Sequence, residues 1–282
     1  MTSLGRVAIL GTGQIGTMVG MALRAAPDHA VGEVAVWDRD PAAMEACLRR
    51  AGSDRLLRGP EEALGSDLII LATPVAQIVG LVRELGPRLG PRQLLVDTGS
   101  SKLDVARAMQ RWVPGTAGAV GGHPLCGSSE PGPWSADPAL LKGATFVLCP
   151  IRDDPFSLGQ AGRLVETLGS VALEMDAGEH DRLLARSSHL PHLVAAALAE
   201  MSGEVPTSAL FSSGLRGAVR LARSDPAMVA SFVRANLEEV RAATRELSLQ
   251  LDRLLAAADS GEERLKAELE RARLRARRVG VS

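Results

Sequence analysis

The residues of this chain best suited to chemistry begin with one histidine. His123 stands in Gly121-Gly-His-Pro-Leu-Cys-Gly-Ser128, a segment too small and irregular to give an imidazole apolar packing. An imidazole titrates near neutrality, so this one is placed to accept a proton or to hold a hydroxyl during an oxidation. Three more of the five histidines lie in Glu179-His180-Asp181-Arg182 and Ser187-Ser-His189-Leu-Pro-His192. His189 and His192 are three apart and share one face of a helix. Paired imidazoles also ligate zinc. No His-Glu-x-x-His pattern and no carboxylate at ligand spacing accompanies these, so no metal is expected. Arg216, Arg220 and Arg223 fall on one helical face. Such a stripe is either a solvated surface or, turned inward, a bidentate ligand for a carboxylate.

A separate signal concerns a phosphate-bearing cofactor. Gly11-Thr-Gly13-Gln14-Ile15-Gly16 directly follows a predicted strand and opens a predicted helix. Glycines at these places allow the tight turn, the close approach of backbone to pyrophosphate and close helix–strand packing. The N–H groups and partial positive charge of the helix start then face the phosphates. Asp38 ends the next strand, about the 20 residues downstream expected of a ribose ligand. Its carboxylate favours NAD by accepting from both ribose hydroxyls and repelling a 2′-phosphate. Arg39 is the group that would admit NADP instead, though Asp38 and Asp40 flank it.

The elements that must carry these groups alternate. Strands are predicted at 6–10, 33–37, 67–73 and 93–97, with helices at 14–26, 41–51, 74–89 and 102–112 between and after them. Two more strands follow at 144–149 and 170–174. Gly115–Gly143 is too rich in Gly, Pro and Ser for a regular element. Strands that are apolar throughout, each followed by a helix, specify an α/β fold: a Rossmann-type doubly wound parallel sheet over residues 1–175. From about 176 to 282 only helical periodicity remains, an all-helical C-terminal domain for substrate binding and dimerisation. Its last stretch, Glu262–Arg278, is a charged amphipathic helix, either a solvated helix packed by one stripe or a dimer contact. In doubly wound sheets the ligand crevice lies beyond the carboxyl ends of the strands. Ala72-Thr73-Pro74, Asp97–Lys102 with Ser100, and Gly121–Ser128 should therefore converge there, Thr73 and Pro74 on the cofactor's side.

Composition excludes other classes. With 32 Lys+Arg against 33 Asp+Glu there is no basic excess to attract nucleic acid or a membrane surface. At 2 % aromatics and no tyrosine there is no stacking platform for single strands. No apolar run reaches the roughly 20 residues that span a bilayer. Three cysteines without a CxxC pair fit a reducing, cytoplasmic setting.

Taken in order, Gly-x-Gly-x-x-Gly, Asp-x-Gly-Ser-x-Lys (97–102), Gly-His-Pro-x-x-Gly (122–127), His-Asp-Arg-x-x-Ala-x-x-Ser-His-Leu-Pro-His (180–192) and Arg-x-x-x-Arg-x-Ala-x-Ser-Asp-Pro (216–226) resemble the prephenate/arogenate dehydrogenases. The resemblance runs from residue 6 to about 236. It implies NAD-dependent oxidation at C4 of a cyclohexadienol dicarboxylate, with loss of CO2, in aromatic amino acid biosynthesis. It assigns the catalytic base to His123 and the orientation of the hydroxyl to Ser100. A substrate carboxylate falls to Arg220, and His189, His192, Ser128 and Ser129 line the same pocket. The chain departs from the family at Ser129, where relatives often have an acid, and at Gly217 and Val229. Arogenate, or a 4-amino analogue of prephenate from secondary metabolism, is thus also a candidate substrate. No room is left for a fused chorismate mutase or regulatory domain, so tyrosine feedback through one is not expected.

Two rivals are weighed. A β-hydroxyacid dehydrogenase would draw a lysine from the helical half, where only Lys266 is available, in the charged terminal helix. A non-catalytic NAD-binding redox sensor would not require His123, Ser100, His189, His192 and Arg220 together. The wide apolar faces of the helical half, such as Leu193–Leu198, predict a homodimer built by that half.

Overall fold

A computed structural model describes residues 3–27, 30–128, 130–203 and 211–278. Ser129 lies outside them, and with it that expected substrate contact. The chain divides into two compact units, 1–236 and 237–282. The first holds an eight-stranded sheet: β1 (Arg6–Leu10), β2 (Glu33–Trp37), β3 (Arg55–Leu56), β4 (Leu68–Leu71), β5 (Leu94–Asp97), β6 (Gly118–Pro124), β7 (Thr145–Pro150) and β8 (Val171–Glu174). Their spatial order is β3-β2-β1-β4-β5-β6-β7-β8. All neighbours pair in parallel except β6 with β7, where His123 stands opposite Val147. The expected parallel sheet therefore turns antiparallel at one place.

Burial on both faces explains why the strands are apolar throughout rather than alternating. Val7, Ile9, Leu68, Ile70 and Val96 pack toward α1 (Gln14–Arg24), α2 (Pro41–Arg49) and α5 (Pro155–Thr167). Ala8, Leu10, Ile69, Leu71 and Leu95 face the other way, toward α3 (Val75–Leu85) and α4 (Leu103–Trp112). The direction of chain progression reverses between β1 and β4, and in such sheets the ligand crevice opens there.

Beyond β8 the chain is helical. α6 (Ala177–Leu184) runs through a π-helical turn (Ala185–His189) into α7 (Leu190–Gly203). α8 (Ser213–Ala218), a 3₁₀ turn at Arg220–Arg223 and α9 (Pro226–Ala235) complete the first unit. Asp225 starts α9 by accepting from the N–H of Ala227, with Pro226 in the first turn. The second unit is a pair of helices, α10 (Leu237–Asp259) and α11 (Glu262–Arg278), joined by an ion pair from Arg253 to Glu268. Among the described residues no helix is long and apolar enough to cross a membrane.

The sequence reading misses two strands. β3 is two residues long and pairs only at the edge. β6 lies inside the stretch read as irregular, because Gly121 and Gly122 weaken any strand signal. Here the glycines are a packing requirement. A Cβ on Gly122 would lie 2.3 Å from the carbonyl oxygen of Asp97, and one on Gly121 would meet Cys149 at 3.3 Å.

Candidate active site

The glycine turn after β1 is built for close approach. Gly11 has φ +110°, and a Cβ there would lie 2.5 Å from the carbonyl oxygen of Ala72 on β4's exit. A Cβ on Gly16 would meet the Gly11 carbonyl oxygen at 1.9 Å, so α1 can sit against β1 only with glycine there. Gly13 differs: a Cβ on it meets nothing within 4 Å, and the space it leaves opens into a cavity. Gly13 caps α1 without a side-chain hydrogen bond, and the first turn carries no acid. The first N–H groups of α1 are thus left for an anion. Those features suit a dinucleotide's pyrophosphate. Asp38, at the end of β2, accepts from the N–H of Thr12 at 2.7 Å and its hydroxyl at 3.3 Å, and from the N–H of Asp40 at 3.0 Å. The carboxylate thereby shapes the turn. Arg39 beside it is exposed.

The cavity has a volume of about 550 Å³. Gly13, Gln14, Ile15, Thr73, Pro74, Ser100, His123 and Ser128 line it, together with Glu130, Asp225, Met228 and Phe232. The exits of β1, β4, β5 and β6 thus converge with the start of α9. Gln14 ties two walls together. Its amide accepts from the N–H of Ser128 at 2.9 Å and donates to the hydroxyls of Ser128 (2.6 Å) and Ser135 (2.8 Å) and to the Glu130 carbonyl (2.9 Å).

The floor beneath His123 is ionic. Lys102, fully buried, is ion-paired with Asp97 and donates to the carbonyl of Gly122. Asp97 also accepts from the N–H of Gly99 at 2.7 Å and of Gly122 at 3.1 Å. This cluster fixes the loop carrying Ser100 and the end of β6 carrying His123 in one frame.

His123 reaches across to the helical segment. Its Nδ1 lies 2.9 Å from Nε2 of His180, whose Nδ1 lies 2.8 Å from Oδ1 of Asp181. Asp181 accepts further from the backbone N–H groups of Lys102 (2.7 Å) and Leu103 (2.9 Å) and from the Ser101 hydroxyl (3.0 Å). Loss of solvent above all, with His180, Lys102 and His189 close by to oppose a further positive charge, pushes His123 well below the ordinary histidine range. Burial alone would raise the Asp181 carboxyl. The hydrogen bonds from His180, Leu103 and Lys102 outweigh it and leave the group below the usual carboxylate range.

The remaining expected residues stand beside the cavity rather than among its lining. His189 is buried, stacked on Phe232 at 4.7 Å, with its Nδ1 3.2 Å from the Asn236 amide. Burial pushes it down to about 4. His192 meets the same ring edge-on at 5.2 Å and bonds the carbonyl of Ser188 at 2.9 Å. Both histidines therefore reach the cavity through Phe232. Arg220 is exposed in the 3₁₀ turn, and Arg216 sits on α8, so the arginines do not form one continuous helical stripe. Asp97, Lys102, His180 and Asp181 fall within the sequence motifs, which by themselves assign these four no role. The signal for the last two was adjacency, a His-Asp pair opening the helical segment.

Comparison with known proteins agrees with this architecture. Residues 19–174 match the family model described as prephenate dehydrogenase, nucleotide-binding domain. Residues 176–270 match prephenate dehydrogenase, dimerization domain. The chain belongs to the prephenate dehydrogenase family. It is 28 % identical over 244 residues to the prephenate dehydrogenase of Lactococcus lactis, covering 83 % of this chain and 65 % of that one. It is 28 % identical over 257 residues to that of Bacillus subtilis, covering 88 % and 68 %. The chain thus spans about two thirds of these curated relatives. Among solved structures, the prephenate dehydrogenase of A. aeolicus, in complex with hydroxyphenyl propionate and NAD+, matches with TM-score 0.87 and 25 % identity over 98 % of this chain and 99 % of that one.

Proposed function

We propose that this protein is an NAD-dependent dehydrogenase that oxidises and decarboxylates prephenate or arogenate in aromatic amino acid biosynthesis. The observation that carries the reading is one cavity lined both by the uncapped start of α1 at Gly13 and by His123 and Ser100. The match to both family models and the NAD+ in the A. aeolicus relative support it. Gly11, Gly13, Gln14, Ile15 and Gly16 cradle the pyrophosphate, Asp38 the adenosine ribose, and Thr73 and Pro74 the nicotinamide side. Arg39 is the residue through which NADP would be admitted. A bound nicotinamide supplies the hydride acceptor. His123 takes the C4 hydroxyl proton on its ring nitrogen as positive character grows at C4, and Ser100 orients that hydroxyl. Aromatisation drives the ring carboxylate off as CO2, so the protein's main task is placement, which contributes several kcal/mol.

Ser128 borders the substrate. His189 and His192 support its wall through Phe232, and Arg220 receives a carboxylate. The boundary between cofactor and substrate halves falls near residue 175, and the second half forms a homodimer, as the family description suggests. The setting is cytoplasmic. Glu130 and Asp225 in the lining favour keeping an ammonium-bearing substrate, arogenate or a 4-amino analogue, beside prephenate. A spectrophotometric panel offering prephenate, arogenate and 4-amino-4-deoxyprephenate, each with NAD and NADP, tests the reading. Turnover with one of them and a preference for NAD is expected. Coenzyme binding without turnover on any would overturn it in favour of a sensor.

A further inference from the structure

The chain from His123 to His180 to Asp181 has a direction that hydrogen-bond arithmetic fixes. Asp181 is an ionised carboxylate surrounded by donors, two backbone N–H groups and the Ser101 hydroxyl among them, so it only accepts. The Nδ1 of His180 at 2.8 Å must then carry the proton it donates. An imidazole whose single proton sits on Nδ1 keeps its second nitrogen, here Nε2 of the fully buried His180, as a bare acceptor. The Nδ1 of His123 at 2.9 Å must in turn be the donor. That leaves the Nε2 of His123 bare, and among the described residues no hydrogen bond engages it.

We propose that His180, oriented by Asp181, is a positioning residue that locks His123 in the tautomer with its proton on Nδ1 and a free Nε2 lone pair for the substrate hydroxyl. The inference rests on the dehydrogenase reading for its purpose, but not for its chemistry. An imidazole with no partner at Nδ1 favours neither tautomer by much, and in the wrong one the nitrogen facing the hydroxyl would bear a proton and could not act as a base. The same geometry helps after proton transfer: the His123 cation donates from Nδ1 to His180, whose other side faces the Asp181 carboxylate. The device also explains why a buried carboxylate stands one residue after a buried histidine at the start of the helical segment. It makes a competent base depend on docking α6 against β6 and α4.

Two measurements test it. In protein with ¹⁵N-labelled histidine, the His123 ring signals, identified by their loss in His123→Asn, should show a protonated Nδ1 and a bare Nε2. His180→Leu should give a mixture of tautomers and lower kcat on the order of 100-fold, less than the roughly 10⁴-fold of a fully reversed tautomer in the serine-protease triad. KM and NAD affinity should stay within about threefold. His180→Gln, whose amide oxygen can accept from Nδ1, should restore the tautomer and most of kcat, which a merely structural role for the ring would not predict. A protonated Nε2 on His123 in the wild type overturns the proposal, as does a His180→Gln variant that folds yet is as slow as His180→Leu. If His180→Leu does not fold, the wild-type and His180→Gln spectra still decide. Failure of the wild type to turn over any cyclohexadienol would instead count against the dehydrogenase reading and leave the tautomer result standing.

Discussion

Replacing Lys102 with Met tests the ionic floor on which the site rests. The ammonium is fully buried and ion-paired with an equally buried Asp97, and it also donates to the Gly122 carbonyl one residue before His123. Methionine fills most of the volume, so the loss is electrostatic rather than a cavity. What remains is a carboxylate out of water with, among the described residues, the N–H groups of Gly99 and Gly122 as partners. Removing one member of a buried pair costs about 3–5 kcal/mol. At roughly 2–4 °C per kcal/mol for a domain of 150–250 residues, the melting temperature should fall by roughly 6–20 °C. Adding Asp97→Asn removes the stranded charge and should recover part of that loss, a coupling that only neighbouring groups show. Thermal melts of wild type, both single variants and the double variant read this directly. A Lys102→Met protein within about 1 kcal/mol of wild type, or a double variant no better than Lys102→Met, would refute the reasoning.

Gly13→Val should leave the melting temperature within a few degrees, since its Cβ meets open space, yet weaken NAD binding at least tenfold by fluorescence titration. Gly16→Ala should instead lower the melting temperature, because its Cβ collides with the Gly11 carbonyl at 1.9 Å. Asp38→Ala should weaken NAD by about 10–100-fold and NADP less, the loss of one or two charge-assisted hydrogen bonds, as titration with each coenzyme will show. His189 is depressed to about 4, so the folded protein binds fewer protons there than the unfolded chain. Its contribution is intact above pH 6.5 and is lost as pH falls toward 4, by on the order of 3 kcal/mol. Denaturant midpoints at pH 7 and pH 4, compared with those of His189→Gln, should show a smaller drop in the variant.

Much of this was legible in the residues because it follows from local rules. Apolar runs such as Leu68–Leu71 between helices announce strands buried on both faces, and Gly11, Gly13 and Gly16 announce the turn after β1. β6 was hidden because its glycines answer to neighbours distant in sequence, Gly122 to Asp97 and Gly121 to Cys149, rather than to strand propensity. The His180–His123 contact spans 57 residues and no spacing rule predicts it. Arg220 read as part of one helical face, yet α8 stops at Ala218 and the arginine sits in a tighter turn, exposed. The alternation of elements thus spoke for the frame, while side chains meeting across the crevice depended on tertiary packing.

The most direct test is His123→Asn, assayed by single-turnover hydride transfer beside an NAD titration. Removal of a general base should cost about 10²–10⁴-fold in the chemical step with NAD affinity unchanged, because His123 meets the coenzyme site only across the cavity. Hydride transfer at nearly the wild-type rate would contradict the assignment of the base and, with it, the account of how this cavity works.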